Sequence, residues 1–296
     1  MRAVVVDSFG GPENVRVAEA GIPEPGARQV RIKVAAAALN PVDAEVRAGV
    51  FGGAGKRIGL GWDVAGTVDA VGVAGSWSVG DQVVALDYGL VKPLGTHAEY
   101  VVVPVDAVAK APATVDAVHA ATLPLNALTA AQALDLLEVT PDQSLLVTGA
   151  AGALGAYAVQ LAARRGVEVT GLAREGDEEF VRFLGAGSFT SGVVAERGFD
   201  RVLDAAVLGE PALAWVRDGG RYVGVIPQAE PASVRGVWTG AVEVSADGAR
   251  LAELVRLVDD GVLTTRVAET FPLDEAAKAH ARLEEGGVRG RLVLVP

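Results

Sequence analysis

Gly149, Gly152 and Gly155, each three residues from the next, carry the strongest chemical signal in the chain. They lie in Val147-Thr148-Gly149-Ala150-Ala151-Gly152-Ala153-Leu154-Gly155, between a short apolar run and an amphipathic one. Between a strand and a helix, such spacing suits a dinucleotide pyrophosphate. The first glycine makes a tight turn, and small residues at 152 and 153 let backbone N–H groups reach the anion. The third lets helix and strand pack closely. The helix N-terminus adds unsatisfied donors and a positive dipole end. The bland alternative is a plain structural turn.

The next strand should end at Gly171-Leu172-Ala173-Arg174. A site for NAD usually carries an acid there for the ribose hydroxyls. Small residues followed by Arg174 instead leave room for a 2′-phosphate and a forked donor to bind it. NADPH is the expected cofactor. Glu175 could instead face the ribose, and Arg174 could be a solvated helix-start residue.

Other patterns carry less. Tyr88 and Lys92 match a Tyr-x-x-x-Lys pair, but Gly89 between them and Pro93 after them point to a loop. Gly75-Ser76-Trp77-Ser78-Val79-Gly80 has the wrong spacing for a nucleophile elbow. His97 reads as a packed or capped residue before a strand, and His280 as surface or core on a helix. With His119 they are the three histidines, far apart and without metal-ligand spacing. No metal site is expected.

Three stretches must position these residues. Residues 1–114 read as β-rich. Short Val-rich runs at Ala3–Val6, Val15–Ala20, Gln29–Ala38, Val64–Val71, Gln82–Leu86 and Glu99–Val103 are separated by Gly/Pro turns, which suits a distorted barrel. Residues 115–244 alternate: strand Leu145–Thr148, helix Ala153–Arg165, strand Val167–Ala173, helix Asp177–Leu184, strands Arg201–Ala206 and Tyr222–Ile226. That alternation implies a parallel α/β sheet. Residues 245–296 read as a helix through Leu251, Leu254, Val255 and Val258, a second over Glu275–Leu283, and a strand over Arg291–Val295.

Composition narrows the function classes. The 296 residues carry 37 Asp and Glu against 26 Lys and Arg, a net charge of −11, so nothing offers a basic face to nucleic acid. There is no cysteine, which excludes disulfides, thiolate nucleophiles and cysteine-ligated zinc. The uncharged stretch Val118–Leu134 contains Pro124 and stops short of a spanning helix. It reads as a buried helical hinge region. No signal peptide is evident, and a cytoplasmic location is expected. Only five of the 26 basic residues are lysine, which with the alanine richness suggests a GC-rich bacterial genome.

The chain resembles the medium-chain dehydrogenase/reductase superfamily, and within it the zinc-independent quinone oxidoreductases of the zeta-crystallin type. The likeness runs through Ala38-Leu39-Asn40-Pro41-Val42-Asp43, Gly61-Trp62-Asp63-Val64-Ala65-Gly66-Thr67-Val68, Val79-Gly80-Asp81-Gln82-Val83 and Gly95-Thr96-His97-Ala98-Glu99-Tyr100. It continues through Leu123-Pro124, Leu128-Thr129-Ala130, the glycine segment, Gly219-Gly220-Arg221 and Gly290-Arg291-Leu292-Val293-Leu294. Where the zinc branch has Gly-His-Glu and a catalytic cysteine, this chain has Gly61-Trp62-Asp63 and Asn40. Where relatives often carry aromatic hydroxyls near the nicotinamide, it has Glu45 and Phe51.

The resemblance implies an α/β fold: a GroES-like β-rich domain (1–114), a Rossmann doubly wound parallel sheet domain binding NADP (115–244), and a C-terminal segment returning to the first (245–296). It also implies hydride transfer from NADPH to a quinone or an electron-poor double bond, in a homodimer. Asn40 would face the nicotinamide and Thr129 its ribose or phosphates. Ala151, Gly152, Ala153, Leu154 and Gly155 would cradle the pyrophosphate, with Ala173 and Arg174 around the adenosine ribose phosphate. Val225, Ile226 and Pro227 would line the cofactor at a strand end. Asn40, Asp43, Phe51 and Trp62 would border the substrate, with core packing as the alternative for Phe51 and Trp62. Asp43 or Glu45 could relay a proton, though solvent can supply it, and no catalytic residue is assigned. Two other functions compete: an enoyl reductase for CoA- or carrier-bound substrates, and a non-catalytic nucleotide sensor or structural protein.

Overall fold

The computed structural model describes residues 1–73, 77–192 and 198–296. In chain order the first elements are β1 (Arg2–Val6), β2 (Arg16–Glu19), β3 (Gln29–Leu39), α1 (Pro41–Ala48), β4 (Ile58–Gly59) and β5 (Asp63–Val71). They continue with β6 (Gln82–Leu86), β7 (Tyr100–Pro104), β8 (Val108–Lys110), α2 (Ala117–Ala120) and α3 (Pro124–Leu136). Next come β9 (Ser144–Thr148), α4 (Ala153–Arg164), β10 (Glu168–Leu172), α5 (Glu178–Phe183), β11 (Ser188–Thr190), β12 (Phe199–Asp204), α6 (Glu210–Leu213), β13 (Val216–Gly224) and β14 (Trp238–Ala241). The chain closes with α7 (Gly248–Asp259), β15 (Val267–Pro272), α8 (Ala276–Glu284) and β16 (Arg291–Val295).

The chain divides into two compact units, Met1–Leu125 with Ala246–Pro296, and Asn126–Ser245. The first division falls eleven residues beyond the expected 114/115 boundary. The reason is local. Helix α2, capped by Asp116, packs on β3 and β5, and the Leu125 amide donates to buried Asp63 at 2.6 Å. Residues 115–125 therefore hold to the β-rich unit.

In that unit β3 is the organising strand. Val30, Ile32 and Val34 turn into the core while Arg31 and Lys33 alternate outward. It pairs antiparallel with β5, β7 and β16. The larger sheet runs β15-β16-β3-β5-β6-β8, and a smaller one runs β2-β1-β4. The last segment thus completes the first unit's sheet through β16. Its helix α7 is amphipathic as expected, with Leu251, Leu254, Val255 and Val258 buried.

The second unit is a parallel sheet in the order β11-β10-β9-β12-β13-β14. Renumbered within the unit this is 3-2-1-4-5-6, the Rossmann order, in which ligands gather where the order reverses, outside the carboxyl ends of β9 and β12. Strand β13 runs from Val216 to Gly224, so it ends two residues before the expected Ile226, and Val225, Ile226 and Pro227 follow its end in a loop.

Helix α1 was not expected. Asn40 is its N-cap, Pro41 its first residue, and Asp43 completes a capping box. Gly49 ends it at φ +85. The signal was present in Asn-Pro-x-Asp, masked by the β-like run of alanines before it.

Candidate active site

On the second unit the three glycines do three jobs. Gly149 follows β9 at φ +60, the left-handed region open to glycine. Gly152 is extended, φ −73, and caps α4 with no side-chain acceptor for the first-turn amides. Those amides are the ready-made donors of an anion site. At Gly155 a Cβ would stand 2.2 Å from the Gly149 carbonyl oxygen, so only glycine lets α4 pack there. The positive φ thus belongs to Gly149, the glycine expected to make the tight turn, and not to Gly152. The turn fits the pyrophosphate of a dinucleotide: it offers donors, a dipole end and no side chain in the way.

Five other expected cofactor residues of this unit follow strand ends at the sheet's carboxyl edge. Ala173 and Arg174 follow β10, where Arg174 is exposed and its carbonyl accepts the Asp177 amide at 2.9 Å. Val225 and Ile226 follow β13 and line a pocket with Asp204, Tyr222, Val207 and Glu230. Pro227 is exposed beside it. Thr129 lies buried on α3. The sequence reading missed Asp204 and Tyr222. Asp204 is fully buried at the end of β12 and accepts from Thr148 Oγ1 at 2.6 Å and from the Tyr222 hydroxyl at 2.8 Å. Burial and the Asp204 carboxylate push the Tyr222 phenol well above its usual pKa. The clue was an acid ending the apolar run Val202-Leu203-Asp204.

In the first unit Asn40 and Asp43 belong to a buried polar network. Asp43 accepts the Asn40 amide at 2.8 Å and the Gly61 amide at 2.7 Å. Asn40 Nδ2 donates to Asp63 at 2.7 Å and to the Ala38 carbonyl at 3.3 Å, and its Oδ1 accepts from the Arg291 guanidinium. Asp63 is pushed up to about 6 by burial, pulled back in part by Arg291, Asn40 and the Leu125 amide. These hydrogen bonds use both side-chain amide hydrogens of Asn40 and both carboxylate oxygens of Asp43. Both residues were expected at the substrate; here Asn40 supplies a donor that the buried Asp63 carboxylate demands, and Asp43 accepts two backbone amides.

Trp62 is buried, its ring edge-on to Tyr88 at 5.3 Å between centroids, with the Lys92 ammonium 5.5 Å from its own centroid. Lys92 donates to the Asp87 carboxylate at 2.7 Å and the Asp87 carbonyl at 2.6 Å, and burial pushes the Asp87 carboxyl up. Tyr88 and Lys92 therefore meet around Trp62 in a loop, not on a helix. Phe51 packs on a different cluster, built on Val4, Leu39 and Phe271. Glu45 is half-buried, and desolvation raises its pKa. Gly75 and Ser76 of the rejected elbow lie outside the described residues. His97 and His280 are both buried, their ring centroids 6.5 Å apart. His97 Nε2 donates to the Ala38 carbonyl at 3.1 Å, and His280 Nδ1 accepts from Arg47 at 3.3 Å.

Two family models match: "Alcohol dehydrogenase GroES-like domain" over residues 26–113 and "Zinc-binding dehydrogenase" over 174–294. The chain is 32% identical to the NADPH-dependent alkenal/one oxidoreductase of Arabidopsis thaliana, covering 100% of this chain and 80% of that one. It is 30% identical to the human quinone oxidoreductase, covering 100% and 98%. The solved quinone oxidoreductase of Coxiella burnetii superposes with a TM-score of 0.90 at 28% identity, covering 100% and 99%. This chain belongs to the medium-chain dehydrogenase/reductase superfamily.

Within that superfamily it falls among the quinone oxidoreductases, with a GroES-like domain and a Rossmann domain. It is an oxidoreductase whose relatives use NAD(P)H. One matching family is named for zinc, so the donor set matters. Asn40 is committed to Asp63 and Arg291, Trp62 offers no lone pair, and cysteine is absent. Among the described residues no three His, Cys, Asp or Glu side chains are grouped as ligands. These residues do not fit a tetrahedral zinc site.

Proposed function

We propose that this protein is an NADPH-dependent, zinc-independent reductase of quinones or α,β-unsaturated carbonyl compounds. The glycine turn carries the reading: an uncapped α4 N-terminus at the reversal point of a Rossmann sheet, with Gly149 and Gly155 required by geometry. The bound nicotinamide supplies the hydride. The Gly152, Ala153 and Leu154 amides hold the pyrophosphate. Arg174, with Ala173 beside it, takes the 2′-phosphate and so selects NADPH over NADH. Val225, Ile226 and the adjoining apolar wall of the β13 pocket keep water from the cofactor. Asn40, locked by Asp63 and Arg291, acts by fixing the start of α1 and the end of β3. The proton that completes reduction comes from solvent, since no protein acid is needed once hydride has been transferred.

The test is NADPH oxidation by purified protein with a simple quinone and with an enone, before and after chelation. Oxidation with at least one acceptor, unchanged by chelator, is expected. NADPH that binds but is not oxidised by either acceptor would favour a nucleotide sensor. Loss of activity on chelation, with one zinc per chain by elemental analysis, would overturn the metal-free reading.

A further inference from the structure

The loop that leaves β12 is held in an unusual way. Asp204 Oδ1 accepts from the Thr148 hydroxyl at 2.6 Å, and Oδ2 accepts from the Tyr222 hydroxyl and the Gly209 amide, each at 2.8 Å. Thr148 in turn accepts the Ala206 amide at 2.9 Å. One buried carboxylate and its hydroxyl partner thus pin the loop at both 206 and 209. Between the pins stands Val207 at φ +57. A β-branched residue rarely adopts that conformation, and it persists only where the surroundings enforce it.

The sheet does not need this arrangement. Asp204 is already in backbone register with Thr148 and Gly224, and a valine or leucine would fill the same interior without desolvating a carboxylate. What the arrangement does fix is the loop's position. A Cβ on Gly149 would lie 3.3 Å from Ala206 Cβ and 3.4 Å from its amide nitrogen, so the pinned loop lies directly against the glycine turn. Val207, 54% exposed, is presented to the pocket that Val225 and Ile226 also line. The raised pKa of Tyr222 keeps its phenol a donor throughout the working pH range.

We infer that Asp204, Thr148 and Tyr222 form a positioning clamp that holds the strained 205–209 loop against the Gly149 turn, in the shape that accepts the dinucleotide. This rests on the NADPH reading above. The three side chains act through the loop, and Val207 is the surface they present.

The test uses Thr148→Val, Thr148→Ser and Tyr222→Phe in the full chain, with two readouts. Hydrogen–deuterium exchange on the free protein reports the 205–209 amides, and fluorescence titration reports the Kd for NADPH. Loss of one hydrogen bond to a charged group corresponds to about tenfold or more. Thr148→Val and Tyr222→Phe should speed exchange in 205–209 by about that factor and raise Kd similarly, with β9 and β12 still protected. Thr148→Ser keeps the hydroxyl and should stay near wild type in both. Unchanged exchange overturns the clamp, as does acceleration spread evenly over the unit. Faster local exchange with an unchanged Kd overturns its role in binding. A wild-type protein that binds no NADPH overturns the cofactor reading, and the binding role with it; unchanged exchange with intact binding sinks the clamp alone.

Discussion

Arg174 stands exposed at the end of β10, and among the described residues its guanidinium has no protein partner. A planar fork left open at the edge of a nucleotide-binding sheet suits a phosphate ester better than a hydroxyl pair. Arg174→Ala should weaken NADPH by about 1.5–3 kcal/mol, the range for a hydrogen bond to a charged group, and leave NADH nearly unchanged. Paired titrations with both cofactors decide it, and equal losses would remove Arg174 from the phosphate site. Asn40 shows the opposite case. Expected at the nicotinamide, its side-chain amide donates to the buried Asp63 carboxylate and accepts from the Arg291 guanidinium.

At the scale of one strand, turn and helix, the glycines separate binding from packing. Gly152 has an ordinary φ of −73, and a Cβ there would lie 3.0 Å from the Gly149 carbonyl oxygen, a contact that a small shift relieves. Gly152→Val should therefore fold with a modest loss of stability and lose NADPH binding, because its branches occupy the space before the α4 amides. Gly155→Ala meets backbone at 2.2 Å, and should lower stability by about 1–3 kcal/mol, as overpacking does. Melting temperature and NADPH titration on both variants test the pair. A Gly152→Val protein that binds NADPH at wild-type affinity would show that the pyrophosphate sits elsewhere.

At the scale of the molecule, buried ionisable groups set the response to acid. Burial, His97 and Arg47 push His280 down to about 3. The unfolded chain then takes up a proton first as pH falls, so the stability His280 provides is present above about pH 6.5 and drains away toward pH 3. Burial lowers His97 as well, with the same sign. Asp63 works against them. Its pKa is raised to about 6, so the folded state gains protons first between there and the usual carboxylate range, and acidification returns stability. Between pH 7 and 5 the His280 share is about 2 kcal/mol. Urea unfolding of His280→Gln should show a loss on acidification smaller than wild type by that amount; parallel curves would refute the assignment.

Local pattern was enough for strands β9, β10 and β12, helices α4 and α5, the glycine turn, the apolar face of α7 and the strand character of β16, because each depends on residues near in sequence; it missed the short β11 and α6. The period of apolar residues decides which face is buried, and glycine spacing decides where backbone comes close. Three-dimensional contact alone could show that residues 115–125 hold to the β-rich unit, since that rests on an amide 62 positions from its acceptor Asp63. The same holds for Asn40, which is engaged by Asp63 and by an arginine 251 residues away. It holds again for Asp204, whose partners Thr148 and Tyr222 lie on two other strands. A buried carboxylate must find donors wherever the fold brings them, and pairing over such distances leaves no periodic mark in the sequence.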